Sequence, residues 1–74
     1  MTTESRQAVA SAVISAIGHA GRTPQWLAER SGIAPRALQE MLSLRRDFTV
    51  VDLGDIADAL GISVSELVPR RSVR

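Results

Sequence analysis

Apolar residues recur along this chain at helical intervals, and no stretch alternates apolar and polar as a half-buried strand does. Val9, Val13 and Ile17 fall on one face of a helix predicted from Glu4 to Ala20, with Ala10 and Ile14 beside them. Thr3 suits its N-cap and Gly21 its stop. A second helix is predicted from Pro24 to Ser31, capped by Thr23, opened by a proline at its first position and ended by Gly32. A third runs from Pro35 to Leu44, with Leu38, Met41 and Leu42 at helical spacing. A fourth runs from Val50 to Leu60 and stops at Gly61. Thr49 and Asp52 have the spacing of a capping box before it, and Phe48 and Leu53 that of a hydrophobic staple. The same two devices recur at Ser63 with Glu66 and Ile62 with Leu67, which predicts a fifth helix of one or two turns over Val64 to Val68, stopped by Pro69. The connections, at about two to six residues, are of the length a compact helical domain uses.

The chain has 74 residues, which is one domain with little core to spend on deep pockets. The pattern assigns residues 1–68 to an all-α, compact five-helix domain and residues 69–74 to a flexible basic tail. There is no cysteine and His19 is the single histidine, so disulfide frameworks and thiolate or histidine metal sites are excluded. No nucleophile–base set and no glycine-rich phosphate loop is present, so no enzyme activity, cofactor or small-molecule ligand is expected. The apolar run at residues 8–17 is amphipathic and broken by Ser11 and Ser15, with Glu4 ahead of it, which argues against a signal peptide. No run approaches the ~20 apolar residues of a membrane span. A cytoplasmic location is expected.

Net charge is only +1, but it is unevenly spread. Residues 22–46 carry Arg22, Arg30, Arg36, Arg45 and Arg46 against Glu29 and Glu40. Residues 49–68 carry Asp52, Asp55, Asp58 and Glu66 with no basic residue, and Arg70, Arg71 and Arg74 follow in the tail. That distribution predicts a basic face and an acidic back.

Residues 24–43, PQWLAERSGIAPRALQEMLS, satisfy the demands of two helices crossing steeply through a tight turn. Ala28 is small where the helices approach, and Gly32 tolerates the positive φ of the turn. Leu27, Ile33, Leu38 and Met41 are apolar where the pair must lock together. With LAERSGI at 27–33, LQEML at 38–42 and IADALGISVSEL at 56–67, the chain resembles, over roughly residues 5–68, the helix-turn-helix domain of lambdoid phage repressors and Cro proteins and their bacterial (XRE-type) relatives.

The resemblance implies a lambda-repressor-like fold and a recognition helix from Pro35 lying in the major groove of double-stranded DNA. The family's base-reading positions match Ala34, Pro35, Arg36, Gln39 and Glu40. Three of these have side chains suited to base edges, namely Arg36 for guanine O6 and N7, Gln39 for adenine, and Glu40 for the cytosine N4 amino group. Pro35 and Ala34 offer apolar contact alone. The family's phosphate contacts match Thr23 and Gln25, then Ser43, Arg45 and Arg46.

The chain departs from the family in three places. Ala34 is a poor cap for the recognition helix, Leu42 and Ile17 stand where some relatives hold a buried ion pair, and the loop from Arg45 to Phe48 is about one residue longer. An apolar contact between Leu42 and Ile17 is expected in place of that pair.

Plainer roles compete with these. Arg36 and Glu40, four apart, have the spacing of a solvated ion pair. Arg22 and Arg30 read as surface charges, His19 as a surface residue near a helix end, and Trp26 as a half-buried packing residue. The expected function is a sequence-specific transcription regulator. The alternatives are the antitoxin of a toxin–antitoxin pair and a protein-interaction module on the same fold. Since one recognition helix reads only a few base pairs, a homodimer through Val64, Leu67 and Val68 is expected, placing two such helices about 34 Å apart.

Overall fold

A computed structural model describes residues 3–68. The expected 69–74 tail, with Pro69, Arg70, Arg71 and Arg74, lies outside the described residues, as does the capping expected of the Thr3 side chain. Four α-helices follow one another: α1 (Thr3–His19), α2 (Pro24–Ser31), α3 (Pro35–Leu42) and α4 (Val50–Leu60). The expected fifth helix is instead a single 3-10 turn, Val64–Glu66. Its cap forms as the sequence requires, with the Ser63 N–H donating to Glu66 Oε2 at 3.2 Å and the Ser65 N–H to Ser63 Oγ at 3.3 Å. The turn is three residues long, too short to add an α-helical layer, so the fold is four α-helices and a capped turn.

One core joins these elements. Val9, Ala10, Val13 and Ile17 of α1 meet Leu27 and Ala28 of α2, Leu38 and Met41 of α3, and Leu53, Ile56 and Ala57 of α4, with Phe48 and Leu67 from the connections. Ile14 is 53% exposed, so α1 widens its buried stripe through Ala12 and Ala16 rather than through Ile14. Ile17 is buried and Leu42 packs against the same core, where the sequence placed an apolar substitute for an ion pair.

Leu67 corrects the sequence reading. It is 0% exposed, because the chain turning back after the 3-10 turn drops it into the core, and it is unavailable to a partner. Val64 and Val68 remain on the surface, at 40% and 38% exposure.

The helix ends explain the register of the bundle. Thr49 and Asp52 close both arms of their capping box, at 3.0 and 3.1 Å, with Phe48 and Leu53 buried on either side. After α1 and α4 the chain turns through Gly21 and Gly61 at positive φ, each turn closed by a bond reaching five residues back, from the Arg22 N–H to Ile17 O and from the Ile62 N–H to Ala57 O. The end of α3 is built the same way, with Arg45 N–H donating to Glu40 O at 2.8 Å, but the left-handed residue is Leu44, at φ 71°. A side chain in that conformation costs about 1–2 kcal/mol. Leu44 offsets the cost by packing against the core. Its left-handed turn also ends α3 at Leu42, two residues before the sequence predicts.

Candidate nucleic-acid interface

Helices α2 and α3 meet across a three-residue connection whose first residue, Gly32, has φ 80° and an N–H bonded to Ala28 O. The buried Leu27, Ala28, Leu38 and Met41 hold the inner faces of the two helices. The outer faces carry the polar residues, and Pro35, Arg36 and Gln39 are all exposed on α3.

These residues form one strip. Arg36, Gln39, Glu40, Ser43 and Arg45 line an open depression of about 510 Å³. A second depression, of about 300 Å³, lies at the α2–α3 junction and is bordered by Pro24, Gln25, Pro35 and, again, Gln39. Gln39 therefore links the start of α2 to the loop after α3. The side chains of Arg36, Gln39, Gln25 and Arg45 make no hydrogen bond or ion pair with any described residue, so their donors are free to meet an external partner.

Other predicted positions are already engaged. Thr23 Oγ1 caps α2 by accepting from the Trp26 N–H at 3.1 Å, which leaves its hydroxyl proton to donate elsewhere. Ser43 Oγ donates to Glu40 O at 3.2 Å. Ala34 provides no side-chain cap for α3, as its methyl requires. Glu40 does not pair with Arg36. Its Oε1 instead accepts from Arg46 Nε at 3.0 Å and pairs with Arg46 Nη2 at 2.8 Å. Arg22 is exposed, as expected of a surface charge, and its guanidinium also lies over the half-buried Trp26, 4.9 Å from the ring centre. His19 is exposed, with Nδ1 2.9 Å from Ser15 O.

Two structural residues of this surface escape sequence reasoning. Arg6 of α1 donates from Nε to Asp47 Oδ1 at 2.6 Å and from Nη1 to Leu44 O at 3.4 Å, so α1 grips the loop on both sides of Arg45 and Arg46. Asp47 is thus paired with Arg6 and Glu40 with Arg46, while the side chains of Arg36 and Arg45 have no acidic partner among the described residues. Among the described residues the acids of α4 line neither depression, with Asp55 and Asp58 exposed and Asp52 in its capping box.

Two helices crossing through a glycine turn, the second presenting free Arg and Gln side chains, define a helix-turn-helix. Comparison with solved structures agrees. The chain is similar to the clp gene regulator ClgR from C. glutamicum, with 32% sequence identity and a TM-score of 0.77, over 84% of this chain and 80% of that one. The chain belongs to the helix-turn-helix DNA-binding family. No family profile and no curated sequence matches it. No helix among the described residues is long and apolar enough to cross a membrane.

Proposed function

We propose that this chain is a sequence-specific, double-stranded-DNA-binding transcription regulator of the repressor or Cro kind, and that it acts by binding alone. The observation that carries this reading is the strip on α3 and its flanks, where the side chains of Arg36, Gln39, Gln25 and Arg45 are exposed with no partner among the described residues. In this reading α3 enters the major groove. Arg36 grips guanine O6 and N7, Gln39 grips adenine, Glu40 accepts from cytosine N4, and Pro35 offers apolar contact to a thymine methyl. Thr23 and Gln25 at the start of α2, with Ser43 and Arg45 beyond α3, hold phosphates on either side and set the register. Ser43 must release the Glu40 carbonyl to do so, at little cost, because that oxygen also accepts from the Arg45 N–H.

Likeness to a protein named as a gene regulator supports the regulatory role, without indicating which genes this chain controls. Val64 and Val68, the exposed apolar residues of the C-terminal turn, are the proposed contact of a homodimer that sets two recognition helices on adjacent turns of DNA. The proposed place of action is the bacterial cytoplasm. The test is selection of bound duplexes from a random pool. Enrichment of one motif, in paired half-sites, supports the proposal, and an unenriched pool refutes it.

A further inference from the structure

We infer that Arg46 is a positioning residue for Glu40, fixing the specificity of the recognition surface rather than gripping a phosphate. The inference rests on the DNA-binding reading above and adds to it a division of labour between two adjacent arginines.

The geometry begins with the backbone. Leu44 at φ 71° and the bond from the Arg45 N–H to Glu40 O reverse the chain at the end of α3. The reversal brings residue 46 back beside residue 40, whereas Arg45 projects into the depression that Arg36 and Gln39 also line. The two arginines thus differ in what they meet. The Arg45 side chain has no partner among the described residues. Arg46 directs Nε and Nη2 onto a single oxygen, Glu40 Oε1, at 3.0 and 2.8 Å. Glu40 Oε2 accepts no hydrogen bond from the described residues.

A free carboxylate on a surface that meets phosphates is repelled by them at every sequence. A carboxylate whose charge is matched by Arg46 escapes most of that repulsion. Because its Oε1 is anchored, its orientation is set before DNA arrives, and Oε2 is left to accept from a base amino group, which in the major groove is offered by cytosine or adenine. The side chains of Arg46 and Glu40 are 55% and 35% exposed, so the pair is at the surface and accessible to a duplex.

The test uses the full chain and four proteins: wild type, Glu40→Gln, Arg46→Ala and the double variant. Each is put through duplex selection, and the affinity for the wild-type site is followed against salt. Glu40→Gln and Arg46→Ala are expected to relax preference at the same single base pair, each by roughly fivefold or more, with the double variant no worse than either alone. Arg46→Ala is expected to change the salt slope by much less than the ~0.9 that loss of one phosphate contact produces. A fall of that full size with base preferences intact makes Arg46 a phosphate contact and overturns the inference. Unaltered preferences in Glu40→Gln overturn it as well. Hydrogen exchange at Arg46 Nε–H in the free protein, slowed in wild type and fast in Glu40→Gln, reports the pair without DNA. A chain that selects no duplex but retains this protection keeps the pair, while both the DNA reading and the role of Arg46 in it fall.

Discussion

Arg6 and Asp47 are 41 residues apart in the chain and 2.6 Å apart in the fold, where they tie the first helix to the loop that carries Arg45 and Arg46. The pair is partly exposed, so its contribution to stability is small, about 0–1 kcal/mol. Its larger effect is on the loop, whose backbone Arg6 also holds through Leu44 O. Arg6→Ala is expected to leave the thermal midpoint within a few degrees of wild type and to weaken DNA binding through faster dissociation, with the salt slope unchanged because no phosphate contact is lost. Fluorescence anisotropy across a salt series measures both. A slope reduced by about one unit shows instead that Arg6 itself reaches a phosphate.

Arg36 stands at the exposed start of α3 with no partner among the described residues. Arg36→Ala is expected to cost about 1–3 kcal/mol at the preferred site and to relax discrimination at one base pair. Competition between duplexes differing at single positions checks this. Unchanged discrimination removes Arg36 from the readers.

Arg45 shares its depression with Arg36 and Gln39 but belongs to a loop rather than to α3. Arg45→Ala is expected to weaken all duplexes alike and to lower the salt slope by about one. An unaltered slope shows that it meets no phosphate.

Gly32 has φ 80°, and a methyl group added to it meets nothing within 4 Å. The cost of Gly32→Ala is therefore conformational alone, about 1–2 kcal/mol, and appears as a lower urea midpoint with an unchanged denaturant dependence. A midpoint equal to wild type contradicts the assigned turn.

The C-terminal turn separates two roles that the sequence merges. Leu67→Ala is expected to lose about 2–5 kcal/mol of stability, as a fully buried leucine does. Val64→Ser with Val68→Ser is expected to leave stability nearly intact and to shift a dimer toward monomer in sedimentation. If the double variant sediments as wild type does, these valines are not the dimer contact.

These contrasts show what the sequence holds and what it omits. The caps at Thr23, Thr49 and Ser63, the prolines at the first positions of α2 and α3, and the Gly32 turn are local signals, and each is read from residues within four positions of one another. The residues of the strip are legible for the same reason, because the helical period that buries Leu38 and Met41 turns Arg36 and Gln39 outward. The contact between Arg6 and Asp47 has no local signature. The contact between Arg46 and Glu40 spans six residues, beyond the three- or four-residue spacing of helical ion pairs, and forms because Leu44 takes a conformation that its residue type disfavours. The inward position of Leu67 is equally hidden, since a turn of three residues is too short for periodicity to assign a face.

Regulation by this chain requires α3 to present its outer face to duplex DNA. Titrating the isotopically labelled protein with a duplex chosen by selection, and following amide and side-chain NMR signals, tests this directly. The predicted result is that the largest shifts fall on Gln25, Arg36, Gln39 and Arg45, with Asp55 and Asp58, which line neither depression, unmoved. Shifts concentrated instead around the exposed Val50 and Val51, or spread evenly over the surface, would contradict it.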